Sequence, residues 1–227
     1  MAEERSADRH RRANPNSLPT AAYVARGAER VADLVILGFG LVCGVAASVA
    51  LLVALPSGKP RLDVGVVAYV AGLLSMLGCS LCYRAATDPV RRRFLRRLDH
   101  AAIFAMIAGS ATPFALARGG VSGIALAVAL WAAAALGVLF KLRFPIGGIW
   151  RSAMLYLLLG WASLVAVGPG ISTHTALLIA AGGVFYSVGV PFLLWWRLPY
   201  RLAAWHGFVL AGAACHFLAI LGGVVFA

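Results

Sequence analysis

Seven apolar runs, at about 31–55, 64–86, 99–116, 121–140, 148–167, 174–196 and 204–226, leave this chain few folds to choose from. Each is close to the roughly 20 residues with which a helix crosses ~30 Å of hydrocarbon. Lipid offers no partner to backbone N–H and C=O groups, so a crossing segment must satisfy them internally, as a helix does. A closed barrel would instead show alternating segments of about ten residues, a pattern missing from this sequence. The expected fold is an all-α integral membrane protein, a bundle of seven transmembrane helices. Composition agrees: 62% of the 227 residues are hydrophobic and 12% charged, whereas soluble domains are apolar over about half their length.

The net charge of +12 comes from 20 Lys and Arg residues that lie in the short polar gaps rather than along one face. Seventeen of them fall on one side of the predicted spans, and three (Lys59, Arg61 and Arg118) on the other. The positive-inside rule then places the amino terminus in the cytoplasm and the carboxyl terminus outside. Basic residues so arranged read as topology signals facing anionic lipid, so membrane lipids are the expected partners and nucleic acid is not. Residues 1–30 form a polar stretch with no apolar core and cleavage site, which reads as a cytoplasmic tail rather than a signal peptide. Residues 31–227 read as one transmembrane domain. An Ala- and Arg-rich chain without a secretory signal points to a bacterial cytoplasmic (inner) membrane. Gly40 and Gly44 form a small-xxx-small pair suited to close helix packing, and Pro113 and Pro191 fall inside apolar runs, where proline bends a helix. Cys43, Cys79, Cys82 and Cys215 all lie in apolar runs; they read as small buried hydrophobes and imply no disulfide framework.

Polar residues inside the spans are costly unless paired or hydrated, which makes them candidate site residues. Ser80, Tyr83 and Arg84 close the second run, Asp99 opens the third behind the arginine-rich RRRFLRRLD, and His206 opens the seventh. All five therefore meet at the cytoplasmic leaflet. His216 sits roughly 15 Å deeper than His206 at ~1.5 Å per residue, where a histidine satisfied within the bundle is the plain alternative to a site role. For Asp99 the plain alternative is a helix cap, since an acid in a first turn is stabilised by the helix dipole. Cys79 and Cys82 could in principle add soft metal ligands beside His206 or His100, although buried small residues are the simpler reading. His100 and His174 receive no role.

The stretches SLCYR (80–84), LDHAAIFAMIAGSATPF (98–114), AWHGFVLAGAACHF (204–217) and ERVAD (29–33) resemble the hemolysin III family, relatives of the progestin and adiponectin receptors. That resemblance implies seven helices with the amino terminus inside. It also implies a zinc site at the cytoplasmic side, built from one histidine on helix two and a His-x-x-x-His pair on helix seven, with a serine and an aspartate steadying the metal-bound water. Members that act as receptors look like hydrolases of lipid amides. Ser80, Asp99 and His206 match those positions. The helix-two ligand position is Arg84, however, and the position four before His206 is Leu202. Arginine has no lone pair to give and leucine no polar atom. His206 is then the one matching ligand, and no bound cofactor is expected, with zinc the alternative.

Two consequences follow for chemistry. Arg84 brings a fixed cation to the zinc position, and Asp99 is the expected partner for it through charge-assisted hydrogen bonds. The favoured function is a hemolysin III-like membrane protein with a polar cytoplasmic-side pocket and a degenerate zinc site, non-catalytic or altered, and lipid-sensing. A zinc-dependent lipid amide hydrolase and a pore-forming hemolytic protein are the alternatives. Composition excludes a soluble enzyme, and no phosphate-binding loop or Ser-His-Asp order is present.

Overall fold

A computed structural model describes residues 20–143, 149–168 and 171–226, with side chains from 27 onward. Among the described residues seven α-helices follow one another: α1 Thr20–Ala54, α2 Pro60–Ala85, α3 Pro89–Ala117, α4 Gly120–Arg143, α5 Ile149–Val167, α6 Thr173–Leu194 and α7 Arg201–Ile220. The last runs on as a π-helical turn, Leu221–Val225. All seven are long and apolar enough to cross a membrane, as their unbroken apolar lengths predict.

Two expected boundaries move. Helix α1 begins at Thr20, so the polar segment expected to end at residue 30 is helical over its last eleven residues; residues 1–19 lie outside the described part. The larger change is in α3, expected from 99 but starting at Pro89. Asp88 is its N-cap, accepting a hydrogen bond from the Arg91 backbone N–H at 2.6 Å, and Pro89 follows at the first helical position, where its missing N–H costs nothing. Arginine is itself a good helix former, so the arginine run is the first turns of α3 rather than a loop. Asp99 is consequently in the helix interior, and its reading as a cap gives way to Asp88.

Helix α3 is the centre of the bundle. Two-thirds of its apolar window (67%) is buried, against 17–44% for the other six. It packs on α2, α4 and α5, while α7 packs on α6 and α1. The α2–α3 contact is tight because glycines line it: a β-carbon at Gly109 would stand 2.7 Å from the Ala68 carbonyl oxygen, and one at Gly72 would stand 3.0 Å from Met106 Cα. The obstacle at both positions is backbone, which cannot swing aside. Gly109→Leu is therefore expected to cost at least roughly 1–3 kcal/mol, the usual penalty for overpacking, read as a lower melting temperature in detergent. Gly40 and Gly44 also serve packing, facing Leu210 of α7 and Leu77 of α2. Pro113 and Pro191 lie inside α3 and α6, as expected.

Candidate functional site

At the arginine-rich end of the bundle, the ends of α2, α3 and α7 bring the expected residues together. Ser80 and Arg84 stand one helical turn apart on α2, with Tyr83 beside them, so all three can face the same neighbours. A cavity of about 630 Å³ opens there, and Ser80, Tyr83, Arg84, Asp99, Leu202 and His206 all line it, with His216 further in. Its volume falls within the range of small-molecule pockets, about 300–1,000 Å³.

Hydrogen bonding divides the polar groups into two clusters. In the first, the Ser80 hydroxyl donates to Asp99 Oδ1. This joins α2 to α3, and the His100 ring stands 3.8 Å from the other Asp99 oxygen. The second cluster is centred on Asp33 of α1, which is only 3% exposed. His206 Nδ1 lies 2.5 Å from Asp33 Oδ1; a carboxylate can only accept, so Nδ1 carries the proton. Arg84 Nε lies 3.3 Å from Asp33 Oδ2, an ion pair whose alignment falls short of a hydrogen bond. Arg84 thus pairs with Asp33 and not with Asp99, which corrects the expectation from sequence. The reason is spatial: α1 packs against both α2 and α7, and delivers a buried carboxylate to the point where their side chains meet.

Asp33 is the residue that sequence reasoning missed. It lies in ERVAD, at the start of the first apolar run, and an acid inside a membrane helix was the available signal. Lys141 was missed as well, counted only as a topology charge. It is 8% exposed at the end of α4, and Ser152 of α5 is 2% exposed; the Lys141 ammonium donates to the Ser152 hydroxyl inside the same cavity. One turn on, the Tyr156 hydroxyl donates to the His100 carbonyl at 3.0 Å, tying α5 to α3. His100 Nδ1 lies 2.5 Å from the Arg96 carbonyl. His216 shows an orphaned Nε2 and meets Tyr186 edge-on at 5.6 Å.

The cavity is electrically lopsided. Arg84, Arg92, Arg96, Arg97, Lys141 and Arg201 contribute cations to its wall, and Asp99 is the carboxylate among its lining residues. The Tyr83 ring carries two of these cations on its π system, Arg84 at 4.8 Å and Arg92 at 5.4 Å. Further in, the wall is apolar: Ile103, Met106, Ile107, Ile179 and Val190 line it. A charged lip over an apolar interior suits an amphiphile, whose head stays at the lip while its chain enters.

The zinc site that the family resemblance implies does not fit these residues. Arg84 and Leu202 occupy two of the three ligand positions, and among the described residues no three His, Cys, Asp or Glu side chains are gathered as a metal centre requires. Cys79 is half-buried and Cys82 exposed, both as free thiols. Ser80→Ala tests the first cluster: the loss of a hydrogen bond to a carboxylate is expected to cost about 1.5–3 kcal/mol, measured as a drop in melting temperature in detergent.

Known proteins match this chain over most of its length. The sequence profile described as "Haemolysin-III related" matches residues 35–217. Hemolysin-3 of Bacillus cereus is 33% identical over 199 residues, covering 85% of this chain and 90% of that protein. A Hemolysin-3 homolog of Bacillus subtilis (strain 168) is 32% identical over 198 residues, covering 85% and 93%.

Proposed function

The chain belongs to the haemolysin-III family, as a multi-pass bacterial membrane protein, and from that premise we propose that it binds a membrane-derived amphiphile at its cytoplasmic-side pocket without the zinc site that the family resemblance implies. The observation that carries this reading is the ion pair of Arg84 with Asp33 beside His206. A guanidinium stands where a ligand would be needed, and its charge is matched by a buried carboxylate that also holds the remaining histidine. The cation of the site is kept and the Lewis acid is given up. The arginine-rich lip supports a cytoplasmic orientation for the pocket, since such residues are retained on that side.

The test is direct. Trp161, Trp196 and Trp205 line the cavity, so tryptophan emission of the delipidated, detergent-solubilised protein should change saturably on titration with palmitate and should do so equally after chelation. Near-stoichiometric zinc in the purified protein, lost on His206→Ala, would overturn this reading in favour of a zinc-dependent lipid hydrolase.

A further inference from the structure

The lysine and serine at the lip have no place in that account, and their geometry is unusual. Lys141 and Ser152 are both enclosed and hydrogen-bonded to each other, and both line the cavity. Among the described residues no carboxylate pairs with Lys141: the ion pairs there join Arg84 and His206 to Asp33, and His100 to Asp99. The charges that share its cavity wall are mostly cations, Arg96 among them. An enclosed ammonium bonded to a neutral hydroxyl and paired with no carboxylate is costly. Two events relieve that cost: the arrival of an anion in the cavity, or the loss of the lysine's own proton.

We propose that Ser152 and Lys141 form a metal-independent acyl-transfer pair opening on the cavity, with a single-chain acyl ester bearing an anionic headgroup as its substrate class. The substrate assignment rests on the lipid-pocket reading above. The apolar wall takes the acyl chain, while Arg92, Arg96, Arg97 and Arg201 at the lip hold the negative head. As the neutral amine, Lys141 Nζ takes the proton from Ser152 Oγ while that oxygen attacks the ester carbonyl carbon, a role lysine fills in serine–lysine hydrolases. The carbon–oxygen bond to the headgroup then breaks, and the departing alkoxide takes the proton from Lys141. Water attacks the acyl-serine, Lys141 accepts its proton and passes it to Ser152 Oγ, and the fatty acid leaves. The balance is ester plus water to acid plus alcohol, with no oxidant or metal. The lip cations also stabilise the oxyanion that forms on the carbonyl.

The experiment uses the full chain in detergent with hexadecyl fluorophosphonate, a serine-directed probe with a long chain. The expected result is one adduct per chain by intact mass, mapped to the peptide containing Ser152. Ser152→Ala should abolish it. Lys141→Arg keeps the cation and its donors but cannot serve as base, so labelling should fall by about 100-fold while the melting temperature holds; a purely structural lysine would be rescued by that change. Ser48→Ala, in α1 with its hydroxyl on the Gly44 carbonyl, should label as the parent does. Hydrolysis of oleoyl lysophosphatidate should exceed that of oleoyl lysophosphatidylcholine. An adduct mapped elsewhere, or no adduct on a folded protein that still binds palmitate, overturns the dyad and leaves the lipid pocket standing. If palmitate also fails to bind, both fall. Because the mapping is done on the parent protein, a variant that misfolds does not remove the decision.

Discussion

Replacing Asp33 with alanine is expected to destabilise the detergent-solubilised protein by about 3–5 kcal/mol, the cost of leaving a buried charge without its partner. The effect is large because one carboxylate serves two side chains. With Asp33 removed, the Arg84 guanidinium loses its counter-charge and His206 Nδ1 loses its acceptor, and three helices lose their common tie. Arg84→Ala should cost less, since Asp33 then keeps its contact with His206. Replacing both charges together, as Asp33→Leu with Arg84→Met, should recover much of the loss, because an ion pair taken out whole leaves no orphaned charge. Thermal melting of the four proteins side by side checks the order. If Asp33→Ala melts with the parent, the triad contributes nothing to stability.

The second large effect is a gain. Arg84→His combined with Leu202→His is expected to raise the zinc content of the purified protein to about one per chain, by completing the three-ligand arrangement that leaves a position for water. Asp33 already does for His206 what an outer partner does for a ligating histidine: it fixes the protonated nitrogen and turns the other outward. Metal analysis after gel filtration in chelator-treated buffer reads the outcome. Either single variant should fall well short of the double, since two protein ligands hold zinc poorly. A double variant that binds no more zinc than the parent would show that positions 84 and 202 are not where the family's ligands map.

The seven helices were legible in the sequence because lipid imposes a length requirement that apolar runs meet or fail without reference to the rest of the chain. The start of α3 was misplaced because charge was read as a loop, although Asp88 and Pro89 spell an N-cap and a first helical residue. Ser80, Asp99 and His206 were found because each is polar at the end of a run. Their pairing was not, because it depends on which carboxylate reaches which cation. Asp33 and His206 are 173 residues apart, and no local pattern joins them. Lys141 looked like one more positive charge at a helix end; only its enclosure beside Ser152 sets it apart from Arg143, two residues on and exposed.

The unbroken course of α3 through its arginines bears on where the protein sits in the bilayer. A helix of 29 residues is roughly 43 Å long at ~1.5 Å per residue, well over the ~30 Å of hydrocarbon. Its basic turns are of the kind that reach for phosphate headgroups, and Asp99 rides on the same rod roughly 3 Å past Arg97. A thicker or thinner membrane tilts such a rod but does not change the spacing along it. The distance along the helix from the basic turns to the Ser80–Asp99 pair is thereby fixed by the rod itself, whatever the thickness of the membrane.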